Sequence, residues 1–173
     1  MNYFELFGLP IGFQVDTQKL RAAFMEIQKA THPDKFAQGN PDEQEAALEQ
    51  SSMANKGYTL LNQKERILPY VLEILGILTP DEKYALEPDF LMEMMDVNET
   101  IMDLQFDPDA EKLAQVKAEI ANVEQSLNNE LLSHTDRFPD VSQDQQEDRL
   151  IKIKDIYYRN KYIQRLKESL AKL

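Results

Sequence analysis

Cysteine is absent from this 173-residue chain, and histidine occurs only as His32 and His134. Without cysteine there can be no disulfide, thiol nucleophile, thiolate zinc site or cysteine-ligated iron–sulfur cluster. Two histidines also cannot supply a centre that needs three. No apolar run approaches the roughly eighteen residues of a transmembrane helix. The segment Met1–Glu5 lacks the basic and apolar regions of a signal peptide, so we expect a cytoplasmic protein.

Positive charge is in short supply, and its distribution is uneven. The formal net charge of −12 argues against sequence-independent binding of nucleic acid. That charge divides into −3 over residues 1–78, −15 over residues 79–148 and +6 over residues 149–173. The acidic surplus is therefore concentrated in the middle of the chain.

Glycine is missing from the last 97 residues, because all five glycines occur at or before Gly76. Helix interiors disfavour glycine, so its absence predicts long uninterrupted helices there. Together with the charge shift, this pattern predicts a first domain over 1–76, a connector over 77–87 and a second domain over 88–173.

The first domain is predicted to consist of short helices with clear ends. Asp16 is a suitable N-cap for a helix that should end by Thr31–His32, since the following proline disfavours helical geometry in the residue before it. A polar loop is expected over 34–40. Asn40 should then cap a second helix that has proline at its first position.

The connector and the second domain are also predicted to be helical. Thr79–Glu82 carries an N-cap signature and predicts a helix of one or two turns. Three longer amphipathic helices follow, the first from Pro88, the second after Asp107–Pro108 and the third from about Ser142. Their apolar residues recur at steps of three and four, which predicts an antiparallel three-helix bundle. No segment alternates with period two, so the fold class is all-α.

The string His32-Pro33-Asp34-Lys35-Phe36 is the most specific motif in the chain. His32 and Asp34 could form a metal-binding or general acid–base pair. No cysteine, neighbouring histidine or neighbouring serine completes such a site, which weakens this interpretation. In a purely local interpretation, Pro33 ends the preceding helix and His32 caps its carbonyl groups.

A helix with three basic residues leads into this motif, and an aromatic segment, Asn2–Pro10, opens the chain. Over residues 1 to about 76, these features resemble the J-domain. The resemblance implies a helical hairpin whose basic second helix and exposed His-Pro-Asp loop engage a DnaK-type ATPase chaperone. Asp34 would meet an arginine of that chaperone and promote ATP hydrolysis there, while the chain itself is no enzyme. The chaperone-binding residues so implied are His32, Pro33, Asp34, Lys19, Arg21, Lys29 and Lys35.

The first helix of the second domain is more apolar than one bundle seam requires. Beside the stripe that begins at Phe90 lie Leu91, Met92, Met95 and Met102. Acidic residues three or four positions apart share one face there, namely Asp96, Glu99 and Asp103. Burial against two neighbouring helices remains open for the apolar residues, above all for Met94 and Met102. The alternative is an adaptable docking surface for a basic or amphipathic partner.

A J-domain followed by a helical bundle, in about 170 residues, resembles the bacterial HscB family of co-chaperones of iron–sulfur cluster assembly. In that family the bundle binds the cluster scaffold protein IscU, and the J-domain passes it to the chaperone HscA. The scaffold-contacting positions implied here are Leu91, Met92, Met95, Asp96, Glu99 and Asp103. The family's aromatic contact from the last helix aligns with Asp155, and Tyr157 or Tyr158 is a possible substitute. The resemblance implies no cofactor. Some eukaryotic members of the family carry an N-terminal cysteine-rich metal site, and this chain has no cysteine, so it resembles the bacterial type.

Two remaining features favour structural interpretations. His134 is expected to be a solvated histidine in a polar link over Ser133–Asp140. The basic last helix is expected to pair with the acidic helices of its own bundle. Two other functions stay open: a J-domain co-chaperone for a different client, and a small metal-dependent hydrolase using His32 and Asp34.

Overall fold

The structure is a computed structural model that describes residues 1–136, 138 and 143–173. Its helices are α1 (Tyr3–Leu6), α2 (Thr17–Ala30), α3 (Pro33–Phe36), α4 (Pro41–Leu61), α5 (Lys64–Ile74), α6 (Pro88–Phe106), α7 (Ala110–Thr135) and α8 (Gln143–Ala171). These described residues contain no strand, and the all-α prediction is confirmed. The chain divides into two units, Met1–Gly76 and Ile77–Leu173. No helix in the described ranges combines the length and apolar character needed to span a membrane.

The first unit is built on an antiparallel hairpin of α2 and α4. Phe24 stacks on Tyr58 with ring centroids 4.2 Å apart, and one turn further along α2 the Gln28 amide donates to Asn55 Oδ1 at 3.2 Å. Side chains from α1, α2, α4 and α5 fill the space beside this hairpin. The buried core consists of Phe4, Phe7, Leu20, Ala54, Leu61, Ile67 and Val71.

Both predicted N-caps of the hairpin are confirmed. Asp16 Oδ1 accepts hydrogen bonds from the backbone N–H groups of Gln18 and Lys19 at the start of α2. Asn40 Oδ1 accepts from the Glu43 N–H at the start of α4. These bonds satisfy backbone donors that have no partner within the helix, so they fix where each helix begins.

The segment between the two helices differs from its prediction. A polar loop was expected over 34–40, but Pro33–Phe36 forms the four-residue helix α3. Proline suits the first position of a helix because its ring fixes φ and no N–H is needed there. His32 is the N-cap of α3, with Nδ1 accepting from the Asp34 N–H at 3.2 Å. In the purely local interpretation His32 capped the carbonyl groups of α2, but the structure has it capping the start of α3 instead.

The first aromatic residues of the chain pack closely on α4 at Gly57. A Cβ at this glycine would lie 2.7 Å from Tyr3 Cδ1 and 3.1 Å from Phe7 Cε2, so a larger residue would displace the rings. Tyr3 also stacks on Tyr70, with ring centroids 5.3 Å apart, and its backbone N–H donates to the Tyr70 hydroxyl at 2.8 Å. Burial raises the pKa of Tyr70. The opening segment is thus fixed from two sides.

The second unit is the predicted antiparallel three-helix bundle. Helices α6, α7 and α8 contact one another, and the apolar series that was predicted along α6 is buried throughout. An edge-to-face contact of Phe90 with Tyr162, at 6.1 Å between centroids, joins α6 to α8. The buried core consists of Phe90, Met94, Val97, Ile101, Leu104, Val116, Ile120, Leu127, Ile156, Ile163, Leu166 and Leu170.

Residues 79–82 form a turn and not the short helix that was predicted. The Glu82 N–H donates to the Thr79 carbonyl at 3.2 Å, and Asp81 has φ +59°. A residue in the left-handed region cannot continue a right-handed helix, so the chain reverses there. Lys154 Nζ donates to the Ile77 carbonyl and to Glu82 Oε2, each at 2.9 Å. The segment before α6 is therefore attached to α8 within the second unit.

The prediction for His134 is also wrong. Helix α7 extends to Thr135, so His134 belongs to its last turn, and its side chain is only 17% exposed. Burial is the main cause that lowers its pKa, and the positive charge of Arg149 adds to this effect. The rest of the link that was expected over Ser133–Asp140 lies mostly outside the described residues.

Candidate partner-binding surfaces

The His-Pro-Asp motif projects a carboxylate into solvent from a fixed backbone. The Asp34 side chain is 93% exposed and that of His32 is 58% exposed. Pro33 holds the first position of α3, and His32 accepts the Asp34 N–H. The backbone around Asp34 is thus already ordered, and a partner would gain the carboxylate with little further loss of entropy.

Gln44 hydrogen-bonds the segment that carries this motif to α4. Gln44 Nε2 donates to the Phe36 carbonyl at 3.0 Å and to the Gly39 carbonyl at 3.3 Å. On the other side, the Thr31 hydroxyl donates to the Ile27 carbonyl at 2.8 Å and closes the end of α2. Both ends of the loop are therefore tied to the hairpin, while the motif itself stays open to solvent.

The geometry gives little support to a metal or acid–base site here. His32 Nδ1 lies 3.6 Å from Asp34 Oδ2, and the same nitrogen already accepts a backbone hydrogen bond. Within residues 1–136, 138 and 143–173, no three histidine, aspartate or glutamate side chains come together as a metal site would require. What the motif offers is an acceptor for a cationic side chain of a partner.

The basic residues named from the sequence are exposed, but they do not share one face of α2. Arg21 and Lys29 are eight positions apart and lie in one row with Met25, whose side chain is 46% exposed. Lys19 lies about 160° away from Arg21 around the helix axis. Lys35 is exposed on α3. Lys29 lies about 80° around the axis from each of Arg21 and Lys19, so the three cations are spread around the exposed side of α2. Met25 adds an apolar side chain there that sequence reasoning missed.

On α6, the residues named from the sequence lie largely in solvent. Met92 is 66% exposed and Met95 is 56% exposed, whereas Leu91 is half-buried. The acidic members of the set are all exposed; they are Asp96, Glu99 and Asp103. These six positions together span about 140° of the helix circumference at 3.6 residues per turn. The structure therefore brings them together on the side of α6 that faces away from the bundle core.

The two α6 methionines whose burial the sequence left open differ in their exposure. Met94 is fully buried among the core side chains. Met102 is 52% exposed. Sequence reasoning also missed Phe106, the last residue of α6, which is 85% exposed. Its spacing of four residues from Met102 is the signal that would have found it.

The aromatic residues of α8 are engaged within the second unit. Tyr158 stacks on Tyr84 with ring centroids 4.4 Å apart, and its hydroxyl donates to Glu82 Oε1 at 3.0 Å. Asp155 accepts from the Tyr84 hydroxyl at 2.7 Å. Burial is the main cause that raises the pKa of Tyr84 and that of Tyr158, each to about 12. Tyr157 packs edge-on against Tyr158, so both suggested substitutes belong to one aromatic cluster.

The basic last helix pairs with acidic residues of its own unit in several places. Lys167 Nζ lies 3.0 Å from Glu124 Oε2 on α7. Arg159 lies 3.4 Å from Glu87 and 2.7 Å from Asp155. These pairs agree with the predicted use of the positive charge in this helix.

A helical hairpin with an exposed His-Pro-Asp loop defines the class of J-domain co-chaperones, and in this chain a three-helix bundle follows the hairpin. A model of the HSCB C-terminal oligomerisation domain matches residues 86–171. The co-chaperone protein HscB homolog of Vibrio parahaemolyticus is 34% identical over 141 residues, which cover 76% of this chain and 82% of that protein. The HscB homolog of Colwellia psychrerythraea is 29% identical over 172 residues, covering 98% of both chains. The chain belongs to the HscB family of co-chaperones.

Solved structures give the same fold. The chaperone HscB from Vibrio cholerae superposes with a TM-score of 0.55 at 27% identity, covering 98% of this chain and 99% of that one. Human co-chaperone protein HscB superposes with a TM-score of 0.66 at 23% identity, covering 99% of this chain and 81% of that one. At that identity the human protein supports the fold alone.

Proposed function

We propose that this co-chaperone binds an iron–sulfur cluster scaffold protein of the IscU type through α6 and delivers it to a DnaK-type chaperone of the HscA type. Its His-Pro-Asp loop stimulates the ATPase of that chaperone. The observation that carries the proposal is the presence, in one HscB-family chain, of an exposed carboxylate on an ordered turn and an exposed apolar and acidic helix face. Neither surface needs a cofactor to act.

Stimulation of the ATPase proceeds through recognition at the first unit. Asp34 accepts a charge-assisted hydrogen bond from an arginine of the chaperone, and its ordered backbone limits the entropy lost on binding. The exposed cations Arg21, Lys29 and Lys35 orient the encounter with an acidic surface of the chaperone and increase its rate. Bond cleavage takes place in the chaperone, and the chain itself hydrolyses nothing.

Delivery of the client depends on the second unit. The apolar side chains of Leu91, Met92 and Met95 provide contact area, and methionine adapts its shape to a partner. The carboxylates of Asp96, Glu99 and Asp103 lie beside them and select a partner with basic groups. One protein thereby brings a client and an ATPase into the same complex, which raises their effective concentration.

An ATPase assay of the cognate chaperone tests this proposal. Its rate is measured alone, with this protein, with the scaffold protein, and with both. We expect stimulation by this protein and a larger stimulation when the scaffold is also present. A rate unchanged by this protein would refute the J-domain role. Stimulation without any added effect of the scaffold, together with a different client in a pulldown, would refute the scaffold as its client.

A further inference from the structure

The exposed apolar side chains of α6 continue beyond the proposed scaffold-binding residues to the end of the helix. Leu91, Met95, Met102 and Phe106 follow one another at spacings of four, seven and four residues. At 3.6 residues per turn these spacings keep all four within about 60° of the helix circumference, and the row is about 22 Å long. Two apolar pairs, Leu91 with Met95 and Met102 with Phe106, therefore lie along the same side of α6, and two turns that carry the polar Asn98 and Glu99 separate them.

The largest exposed apolar group in this row lies at its C-terminal end. Phe106 is 85% exposed, and Met102, one turn before it, is 52% exposed. Neither contributes to the bundle core, which α6 supplies from a different face. A lone exposed apolar residue is ordinary on a protein surface, but several of them along one side of a helix, rimmed by charged groups, are typical of an interaction site.

A row of carboxylates runs beside this apolar row. Asp96, Glu99 and Asp103 are exposed, and within residues 1–136, 138 and 143–173 none of them forms an ion pair. This contrasts with Lys154, Arg159 and Lys167 of α8, which form ion pairs with acidic residues of the same unit. The unpaired carboxylates thus leave an uncompensated negative edge along the apolar row.

The negative edge continues into a groove beside Phe106. This groove lies between the end of α6 and the start of α7, and Phe106 forms part of its lining. Three carboxylates and one lysine also line it, so its net charge is negative; they are Asp103, Asp107, Glu119 and Lys112. A partner that covers Phe106 therefore meets an acidic surface on that side as well.

We propose that the client-docking surface runs the full length of α6, with Met102 and Phe106 as its C-terminal anchor. Its occupant is an extended or helical segment of the client whose apolar residues are flanked by lysine or arginine. The inference rests on the proposed function for the identity of the client. Charge complementarity selects this occupant, because a segment with basic flanks neutralises carboxylates that form no ion pair with any residue that the structure describes. Aromatic side chains such as Phe106 are frequent anchors of such interfaces.

Binding of the purified scaffold protein by calorimetric titration tests this extension. The variant Met102→Ala/Phe106→Ala is compared with Leu91→Ala/Met92→Ala and with the control Ile151→Ala, which removes a 49% exposed side chain from α8. We expect the first variant to bind at least about tenfold more weakly and the control to bind as the unchanged protein does. Circular dichroism and urea unfolding confirm that each variant remains folded.

The pattern of losses separates the two proposals. Loss in both double variants supports the extended surface. Loss only in Leu91→Ala/Met92→Ala keeps the proposed function and overturns the extension. Loss only in Met102→Ala/Phe106→Ala supports the anchor and refutes the role proposed for the N-terminal half of α6. If neither variant loses affinity, both the scaffold-docking role of α6 and its extension are overturned.

The chemistry of the occupant is tested by charge reversal. Asp103→Lys should weaken scaffold binding, and the effect should shrink at high salt, whereas Glu147→Lys on the exposed surface of α8 should leave binding unchanged. Equal behaviour of the two variants would refute a basic occupant. Sedimentation of the free protein provides a further check. If it forms a dimer that Phe106→Ala dissociates, a second copy covers the row and the proposal is overturned.

Discussion

Met94 and Met95 are neighbours in the chain, yet Met94 is fully buried and Met95 is 56% exposed. Met94 packs in the bundle core beside Val97 and Phe90, while Met95 lies in the exposed row of α6. One methionine therefore serves the stability of the second unit, and the other is available to a partner.

This division predicts opposite phenotypes for two adjacent substitutions. Met94→Ala should leave a core cavity and lower the free energy of unfolding by about 2–5 kcal/mol. Met95→Ala should change it by less than about 0.5 kcal/mol and weaken scaffold binding instead. Urea unfolding followed by circular dichroism, with parallel binding titrations, measures both effects. Equal destabilisation by the two substitutions would contradict the assignment of the two faces.

Asp34→Asn should separate folding from activity. Its side chain is 93% exposed, so the substitution should change stability by less than about 0.5 kcal/mol. Removal of the negative charge should abolish stimulation of the chaperone ATPase, because the amide can no longer pair with a cation. Glu45→Gln, on an exposed position of α4, is the matched control and should stimulate normally. Normal stimulation by Asp34→Asn would refute the J-domain mechanism.

Leu91→Ala combined with Met92→Ala should affect the client and not the chaperone. Loss of these side chains should weaken scaffold binding about tenfold or more, because both would be buried by the partner. Stimulation of the ATPase in the absence of scaffold should be unchanged, since the His-Pro-Asp loop belongs to the other unit. The control is Leu132→Ala, which truncates a 53% exposed leucine of α7. An unaltered affinity in the double variant would place the docking surface elsewhere.

The contact of Lys154 with Glu82 should make the second unit sensitive to acid. The hydrogen bond from Lys154 is the main cause that lowers the pKa of Glu82 from its ordinary value of 4.5. A carboxyl with a lowered pKa stabilises the fold above its unfolded-state pKa, and this contribution is lost as the pH falls through the folded-state value. Lys154→Met should therefore lower the free energy of unfolding at pH 7. The difference in this free energy between the variant and the unchanged protein should become smaller below about pH 4.5.

Urea unfolding at pH values from 7 down to 3.5 measures this difference. Lys117→Met, at an exposed position of α7, is the control and should lack the pH-dependent difference. Some destabilisation by Lys154→Met should remain in acid, because Lys154 also donates to the Ile77 carbonyl. A difference that stays constant over the whole pH range would contradict the role of the carboxylate.

Local signals predicted the helices well where a single residue decides the outcome. Asp16 and Asn40 begin their helices as expected, because a side-chain oxygen next to an unpaired backbone N–H acts over a few ångströms. The segment over 79–82 was predicted wrongly to be a short helix, because local signals do not include contacts with distant residues. Its N-cap signature is present, but Asp81 adopts a left-handed conformation and the side chain of Glu82 is engaged by Lys154, 72 residues away.

The candidate surfaces were predictable in part. The spacing along α6 placed its acidic residues on one face, since helical periodicity relates positions three and four apart. It left open whether Met94 and Met102 are buried, because burial depends on where the neighbouring helices lie around α6. The sequence could not predict the aromatic cluster around Tyr158 on α8, because its stacking partner Tyr84 comes from a segment before α6.

The sequence by itself determined the all-α class, the His-Pro-Asp motif with its basic surroundings, and the exclusion of cysteine chemistry. Helical periodicity, capping and residue chemistry depend on residues that are close together in the chain, so the sequence alone is enough to predict them. Only the tertiary structure decided that Met102 and Phe106 are exposed, that His134 is largely buried, and that Glu82 is bound by Lys154. Those outcomes depend on contacts between residues that are distant in the chain, and packing of the helices fixes them.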